Sequence, residues 1–223
     1  MDVTISSLKF NLLTAVGMLS SQKLARLDVI LGPMFPNKQQ LPDLALLYID
    51  PLKRSSTIIN PNQIGFGIDG LEFLPIATGT DSLSSIMADW KRQATEIFNT
   101  LLMDPGSSGF VISIVGVVPT VGSKPTAAAE HFIQKFSPIH HQELKKIVDI
   151  TSVGLRYLFS KEGLTYDCHV EPLLSNLNTY FLDMNITAPH GHYEMESVFN
   201  ALSTALAFFK NEWFTTVKDS MLI

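Results

Sequence analysis

The chain is poor in several residues on which whole classes of function depend. Its 223 residues include one cysteine, Cys168, so no disulfide can form within the chain, and no Cys/His spacing resembles a zinc finger. The 16 lysines and arginines are scattered and the net charge is -5, which argues against a basic nucleic-acid-binding face. The longest apolar run, Phe110 to Val118, is too short to span a bilayer. These absences predict an acidic, cytoplasmic protein that binds neither nucleic acid nor membrane.

What the chain has in excess is apolar surface. Charged residues make up 17% and hydrophobic residues 46%, whereas about a quarter of an average soluble domain is charged. The stretch from Phe10 to Leu19 resembles the core of a signal peptide, but Asp2 precedes it and no small-residue cleavage pattern follows, which favours a first strand or short helix. Part of the apolar surface is expected to be covered by a protein partner, and a homo-oligomer is the simplest prediction.

Two segments have the apolar periodicity of long amphipathic helices. One spans 82–103, with Asp81 or Ser82 placed to cap its start, and the other spans about 193–217. Each helix would bury one stripe that is rich in aromatic side chains.

A third helical region, 123–148, predicts two short helices broken near Pro138, or a helical lid. Its histidines, His131 and the pair at 140–141, are expected on a solvated helix face.

Strands account for most of the remaining chain. "QIGFGI" and "LEFLPIA" flank Asp69 and Gly70, and this dipeptide is the strongest hairpin signal in the sequence. "FVISIVGVV" is typical of a strand buried on both faces. "SVGLRYLFS", "LTYDCHV" and "TYFLDMNIT" predict a three-stranded meander.

The order of these elements predicts one α+β domain over 1–223, in which the two long helices cover one face of a largely antiparallel sheet. Residues 1–104 and 110–223 follow a similar order of strands and helix, and 105–109 forms the joint between them. The two halves are therefore a candidate pseudo-repeat.

Motifs for cofactors and nucleophiles are absent or lack their structural context. "GFGIDG", from Gly65 to Gly70, fits G-x-G-x-x-G, but it lies within a predicted strand rather than between a strand and a helix. No G-x-S-x-G or H-E-x-x-H sequence occurs. Cys168 alternates with apolar residues, which is typical of a buried and inert thiol. The sequence therefore predicts no cofactor.

Histidines before the C-terminal helix form one candidate metal site. His190, His192 and Glu194 stand at alternate positions, and two imidazoles with a carboxylate can bind a metal ion. Glu194 and Glu196 also suit the first turn of a helix, whose N-terminus carries partial positive charge. A structural role for these residues thus stays open.

The best candidate for a reaction site is the stretch "YDCHVEP", from Tyr166 to Pro172. In a strand, its Asp167, His169 and Glu171 share one face, which would bring metal ligands or acid/base groups together. The same pattern is also expected of the solvated side of a sheet.

The register of the preceding hairpin decides what faces those side chains. A three-residue loop would mix apolar and polar side chains on one face, whereas a two-residue loop at 162–163 separates them and is therefore predicted. The two-residue loop places Arg156 opposite His169 and brings Leu158 beside Asp167.

This register predicts a self-neutralising ionic face, because Arg156 lies among carboxylates and an imidazole, and the next strand adds Asp183 and Asn185. The guanidinium weakens the case for a metal cation. Leu158 and Phe181 on the same side indicate that the lid helices or another chain cover it.

The strand "SVGLRYLF", from Ser152 to Phe159, is similar to the "GLRY" strand of a sporadically distributed bacterial family of uncharacterised proteins. The residues that carry the resemblance are Gly154, Leu155, Arg156 and Tyr157. The family also has strands followed by a long helix, so the resemblance implies an α+β fold. It implies no activity.

Three functional hypotheses remain open, one of which is a carrier of an apolar ligand between the helices and the sheet. The first is a non-catalytic interaction or assembly protein, either oligomeric or a subunit of a larger complex. The second is an enzyme or small-ligand binder in which Arg156 fixes an anionic group, His169 moves protons, and Asp167 or Glu171 orients the imidazole. The two loop histidines would complete that site, with or without a metal ion.

Overall fold

The computed structural model describes residues 3–41, 45–70, 80–104, 106–120, 126–136 and 152–221. Its strands are β1 Thr4–Leu13, β2 Asn37–Gln40, β3 Leu46–Asp50, β4 Ser55–Asn60, β5 Gln63–Asp69, β6 Gly106–Ser107, β7 Gly109–Pro119, β8 Leu155–Lys161, β9 Leu164–Leu173, β10 Asn176–Thr187 and β11 Tyr193–Glu194. Its helices are α1 Ser21–Leu31, α2 Thr80–Leu101, α3 Ala127–Phe136, α4 Met195–Ala207, a π-helical segment Phe208–Trp213, and α5 Phe214–Met221.

Nine of these strands form one antiparallel sheet in the order β2-β3-β4-β5-β1-β7-β10-β9-β8. β1 pairs with the last strand of the meander that follows it, β5, and β7 does the same with β10. β1 and β7 then pair with each other at the centre of the sheet. The α+β prediction is confirmed. The pseudo-repeat stays a prediction, because a shared order of strands and helices does not by itself show that the two halves are repeats of one unit.

The helices pack on one face of the sheet because its strands alternate. In β1, Leu8, Phe10 and Leu12 are fully buried, while the residues between them are not. Phe10 meets Phe199 of α4 at a ring-centroid distance of 5.2 Å, and the ring of Phe66 lies 5.8 Å from that of Trp90 in α2. Each fully buried side chain of this size contributes about 1.5–3 kcal/mol to stability. The ring contacts described between helices and sheet all lie on this face.

The predicted hairpin around Asp69 and Gly70 is wrong. β5 hydrogen-bonds to β4 along one edge and to β1 along the other, so neither edge is free for "LEFLPIA". That segment, 71–77, lies outside the described residues. Gly65 lies within β5, and a Cβ there would come within 2.4 Å of the Asn11 side chain, so this glycine permits close packing rather than phosphate binding. The exclusion of a dinucleotide loop is therefore supported.

The lid region is described only as far as α3, since 137–151 lies outside the described residues. α3 packs on the sheet through Phe132, whose ring lies 5.5 Å from that of Tyr180. His131 is not on a solvated face as predicted: its Nδ1 lies 2.8 Å from the Tyr180 hydroxyl, and burial lowers its pKa. The pair at 140–141 falls outside the described part of the chain.

The C-terminal helix passes through a π-helical segment on its way along the sheet. The rings of Phe208 and Trp213 in this segment contact those of Phe159 and Tyr157, at 6.4 and 5.5 Å respectively. These aromatic contacts hold the helix against one face of β8 and β9. The helix therefore leaves the opposite face of these two strands uncovered.

Candidate functional site

The β8–β9 hairpin has the register that the sequence predicts. Glu162 and Gly163 form its two-residue turn with φ values of 52° and 77°, as a type I′ turn requires. Lys161 pairs with Leu164, and Arg156 lies opposite His169. Most apolar side chains of the hairpin thereby lie on the helix-covered face and most polar ones on the opposite face, with Leu158 as an exception.

Four charged or titratable side chains meet on the face opposite the helices, and we call them the ionic cluster: Arg156, Asp167, His169 and Asp183. Arg156 donates two hydrogen bonds to Asp167, from Nε to Oδ1 at 2.8 Å and from a terminal nitrogen to Oδ2 at 2.7 Å. This bidentate geometry is the strongest form of the arginine–carboxylate pair. The guanidinium beside Asp167 lowers the pKa of that carboxyl.

His169 lies between two carboxylates of the cluster. Its Nε2 is 3.3 Å from Asp167 Oδ1, and its Nδ1 is 3.8 Å from Asp183 Oδ2. Nε2 is buried, and its contact with Asp167 is not a well-aligned hydrogen bond in the described chain, although the imidazole helps to lower the pKa of that carboxyl. The imidazole is therefore placed where a positive charge would be attracted from both sides.

Asp183 is the most buried carboxyl of the cluster, with 18% of its side chain exposed. Burial raises its pKa, against the opposing effects of His169 and of a hydrogen bond from Asn185 Nδ2 at 2.8 Å. Asn185 in turn accepts a hydrogen bond of 2.5 Å from Ser113 on β7. The sequence analysis did not identify Ser113 as part of this site, although its alternation with the buried Ile112 and Ile114 indicates that it lies on this face.

Replacing Asp183 with asparagine is expected to raise the melting temperature at neutral pH by a few degrees. Because its pKa is raised in the fold, the unfolded chain loses this proton first, so stability should fall as pH rises from about 4 through the folded pKa. The amide removes that loss and can still accept the hydrogen bond from Asn185. Thermal unfolding of both proteins over a pH series measures the effect. A wild-type curve that rises over that interval relative to the variant would contradict it.

Glu171 is on the predicted face but outside the hydrogen-bonded group. It lies opposite Phe181 and packs over Gly154, where a Cβ would come within 2.8 Å of its Oε2. Its charge reaches Asp183 and contributes to the raised pKa of that residue. The cluster is thus centred on Arg156 and Asp167.

Apolar side chains adjoin the cluster. Leu158 lies between Arg156 and Ser160 along β8 and is 69% exposed, although leucine is normally buried. Phe181 and Val115 on the neighbouring strands are half-buried. Four clefts of about 300 to 490 Å³ elsewhere in the described chain are lined by other residues. None of these four clefts is lined by a residue of the ionic cluster.

The predicted metal residues lie apart from this cluster. His190, His192 and Glu194 are exposed in the segment that leads into α4, where the His192 ring packs against Gly106. Within the described ranges, no three histidine, cysteine, aspartate or glutamate side chains come together in a way that could hold a metal ion. The structure therefore does not assemble the three as ligands.

Cys168 lies between Asp167 and His169 in sequence, but its side chain points to the helix-covered face. It is fully buried, and burial raises the pKa of the thiol to about 12. The prediction of a buried cysteine is confirmed, and such a thiol is a poor nucleophile.

Comparisons with known proteins assign neither a class nor a relative. No protein-family model matches the chain, and no curated protein matches it at a meaningful level of similarity. None of the described helices is both long enough and apolar enough to cross a membrane.

Proposed function

We propose that this protein is a non-catalytic interaction or assembly protein, oligomeric or part of a larger complex, which binds its partner with the β8–β10 end of the sheet. The observation that carries the proposal is the 69% exposure of Leu158 beside a fully formed ionic cluster. Exposed large apolar side chains bordered by polar groups are typical of binding surfaces.

The chemistry of the cluster favours binding over catalysis. Arg156 donates two hydrogen bonds to Asp167, so the protein's own carboxylate occupies this edge of the guanidinium. A catalytic imidazole needs a well-aligned hydrogen bond to the group that orients it, whereas the nitrogens of His169 lie 3.3 and 3.8 Å from the nearest oxygens of Asp167 and Asp183. A neutralised, pre-arranged ion pair at the rim of an apolar patch suits partner specificity.

Sedimentation velocity of the purified chain over a wide concentration range tests the proposal. We expect a species heavier than the 24.7 kDa chain, or a stoichiometric complex with a co-purified protein. Hydrogen exchange on that species should show extra protection at β8 to β10. A monomer at every concentration, purified without a partner, would contradict the proposal.

The second candidate is a small-ligand site or enzyme built on Arg156, Asp167, His169 and Glu171. It is favoured by the position of His169 between two carboxylates, 3.3 and 3.8 Å away. Elemental analysis of the protein as purified, and ligand-induced shifts of the His169 resonances compared with a His169→Ala variant, test it. Absence of bound metal, together with unchanged assembly of that variant, would leave the interaction proposal alone.

A cytoplasmic location and membership of the bacterial family with the "GLRY" strand belong to the same proposal. The location is supported by the single cysteine, which is buried and unpaired among the described residues. The family is supported by the position of Gly154, Leu155, Arg156 and Tyr157 at the start of β8, next to the proposed surface.

A further inference from the structure

β8 is an edge strand of the nine-stranded sheet, and it differs from the strand at the other edge. β2 has four residues, "NKQQ", which are all polar and exposed. β8 has seven residues, "LRYLFSK", four of them aromatic or leucine. Short polar edges resist pairing with other chains, whereas a long apolar edge offers a template for it.

The backbone groups of β8 that face away from β9 can be assigned from the hairpin. In a two-residue hairpin the residues next to the turn, here Lys161 and Leu164, form a hydrogen-bonded pair. Every second pair further from the turn is also hydrogen-bonded, and the pairs between them are not. Arg156, Leu158 and Ser160 therefore direct their N–H and C=O groups outward. No strand of the described chain lies beside that edge.

Charges on an edge strand usually prevent pairing, but both charges of β8 are drawn back onto the protein's own surface. Arg156 is held by Asp167 through two hydrogen bonds. The Nζ of Lys161 lies 3.2 Å from Glu212 and 4.4 Å from the centre of the Phe208 ring. In the part of the chain that the structure describes, this edge is thus open to another strand.

We propose that a second copy of this chain pairs with β8 in antiparallel fashion, with Leu158 on the two-fold axis, so that two sheets become one. The inference rests on the proposed function and names its partner. The position of the axis follows from the length of the strand, because only an axis at Leu158, the central residue of Leu155–Lys161, pairs all seven residues.

In that register no two like charges meet, and the outermost pairs join Leu155 to Lys161. Leu158 meets Leu158 of the second copy, and Arg156 meets Ser160, on the face of the ionic cluster. On the helix face, Tyr157 meets Phe159, which extends the aromatic contacts with Trp213 and Phe208. The two Arg156 side chains would be about 13 Å apart, where like charges are largely screened. An axis at Arg156 would instead place the two guanidinium groups opposite each other.

The test compares Leu158→Lys with Leu174→Lys by sedimentation velocity on the full chain. Leu174, in the β9–β10 turn, is 73% exposed, so it offers the same substitution at the same exposure away from the edge. We expect a wild-type dimer, a Leu174→Lys dimer, and a Leu158→Lys protein whose dissociation constant rises at least about tenfold, with unchanged circular dichroism.

A second measurement fixes the register. Because Cys168 is buried, a cysteine introduced at position 158 would be the accessible thiol of the described chain, and a short thiol-specific crosslinker should join two copies of Leu158→Cys but not of Leu174→Cys. Arg156→Cys mixed with Ser160→Cys should crosslink more than either variant alone.

Each outcome separates the two proposals. A wild-type dimer that Leu158→Lys leaves intact would overturn the β8 pairing and keep the interaction function. A complex with a different protein that Leu158→Lys abolishes would overturn the second copy as partner. A monomer under all conditions, without a partner, would overturn both.

Discussion

Replacing Phe10 with alanine should lower the free energy of unfolding by about 3–5 kcal/mol, the usual cost of removing a buried phenylalanine. Phe10 is inaccessible to solvent at the centre of the sheet, between Phe66 on β5 and Ile112 on β7. Its ring also contacts Phe199 of α4 at 5.2 Å. The substitution therefore leaves a cavity at the point where sheet and helix layer meet.

Urea unfolding followed by circular dichroism measures this loss, and Phe181→Ala provides the matched control. Phe181 belongs to the same residue type and also lies in a central region of the sheet, but on the other face, where it is half-buried. We expect a clearly smaller cost there. Equal costs at the two positions would mean that the two faces are equally buried, and the proposed binding surface would lose its physical basis.

The β8–β10 meander could be predicted from the sequence because every signal there is local. A two-residue turn with Gly163 sets the pairing, and alternation then fixes the face of each side chain. The position of Arg156 opposite His169 follows from these two facts alone. The shared face of Arg156, Asp167, His169 and Asp183 was therefore predictable, whereas the position of Glu171 outside the hydrogen-bonded group was not.

The first half of the sheet could not be predicted in the same way. β5 pairs with β1, and the paired residues lie far apart in the sequence. Leu12, for example, pairs with Ile64, which is more than 50 residues further along the chain. An Asp-Gly dipeptide indicates a turn, and Gly70 indeed has a φ of 66°. The dipeptide does not indicate which strand pairs with the one before the turn. β3 and β4 were not identified because they are short, although Asp50-Pro51 and Asn60-Pro61 mark a turn after each of them.

The energetics of the candidate site also lay beyond the sequence. The charges of Arg156 and Asp167 suggested neutrality, but the burial that raises the pKa of Asp183 depends on β7 and on Ser113, which are distant in the chain. The edge position of β8 likewise depends on the order of all nine strands. Periodicity identifies a face, whereas only the topology identifies an edge.

The π-helical segment gives the last strong prediction, which concerns Gly116 on β7. A Cβ at this position would lie 2.6 Å from Val3 Cγ2 and 2.9 Å from Cζ of Phe209, which is fully buried. Gly116→Ala should therefore destabilise the protein by about 1–3 kcal/mol through overpacking. Gly67→Ala is the matched control, since the Cβ there would be 3.0 Å from Ser56 Oγ on the helix-free face, and the change should be close to neutral.

A double-mutant cycle with Phe209→Leu identifies the cause of that loss. The smaller side chain removes the ring atoms that the new methyl group would meet, so the two substitutions together should cost less than the sum of their separate costs, by about 0.5–3 kcal/mol. Chemical denaturation of the four proteins provides the numbers. Strict additivity would show that Val3 or the strand backbone, rather than the Phe209 ring over β7, limits the space at Gly116, and that the π-helical segment does not hold the C-terminal helix at this point of the sheet.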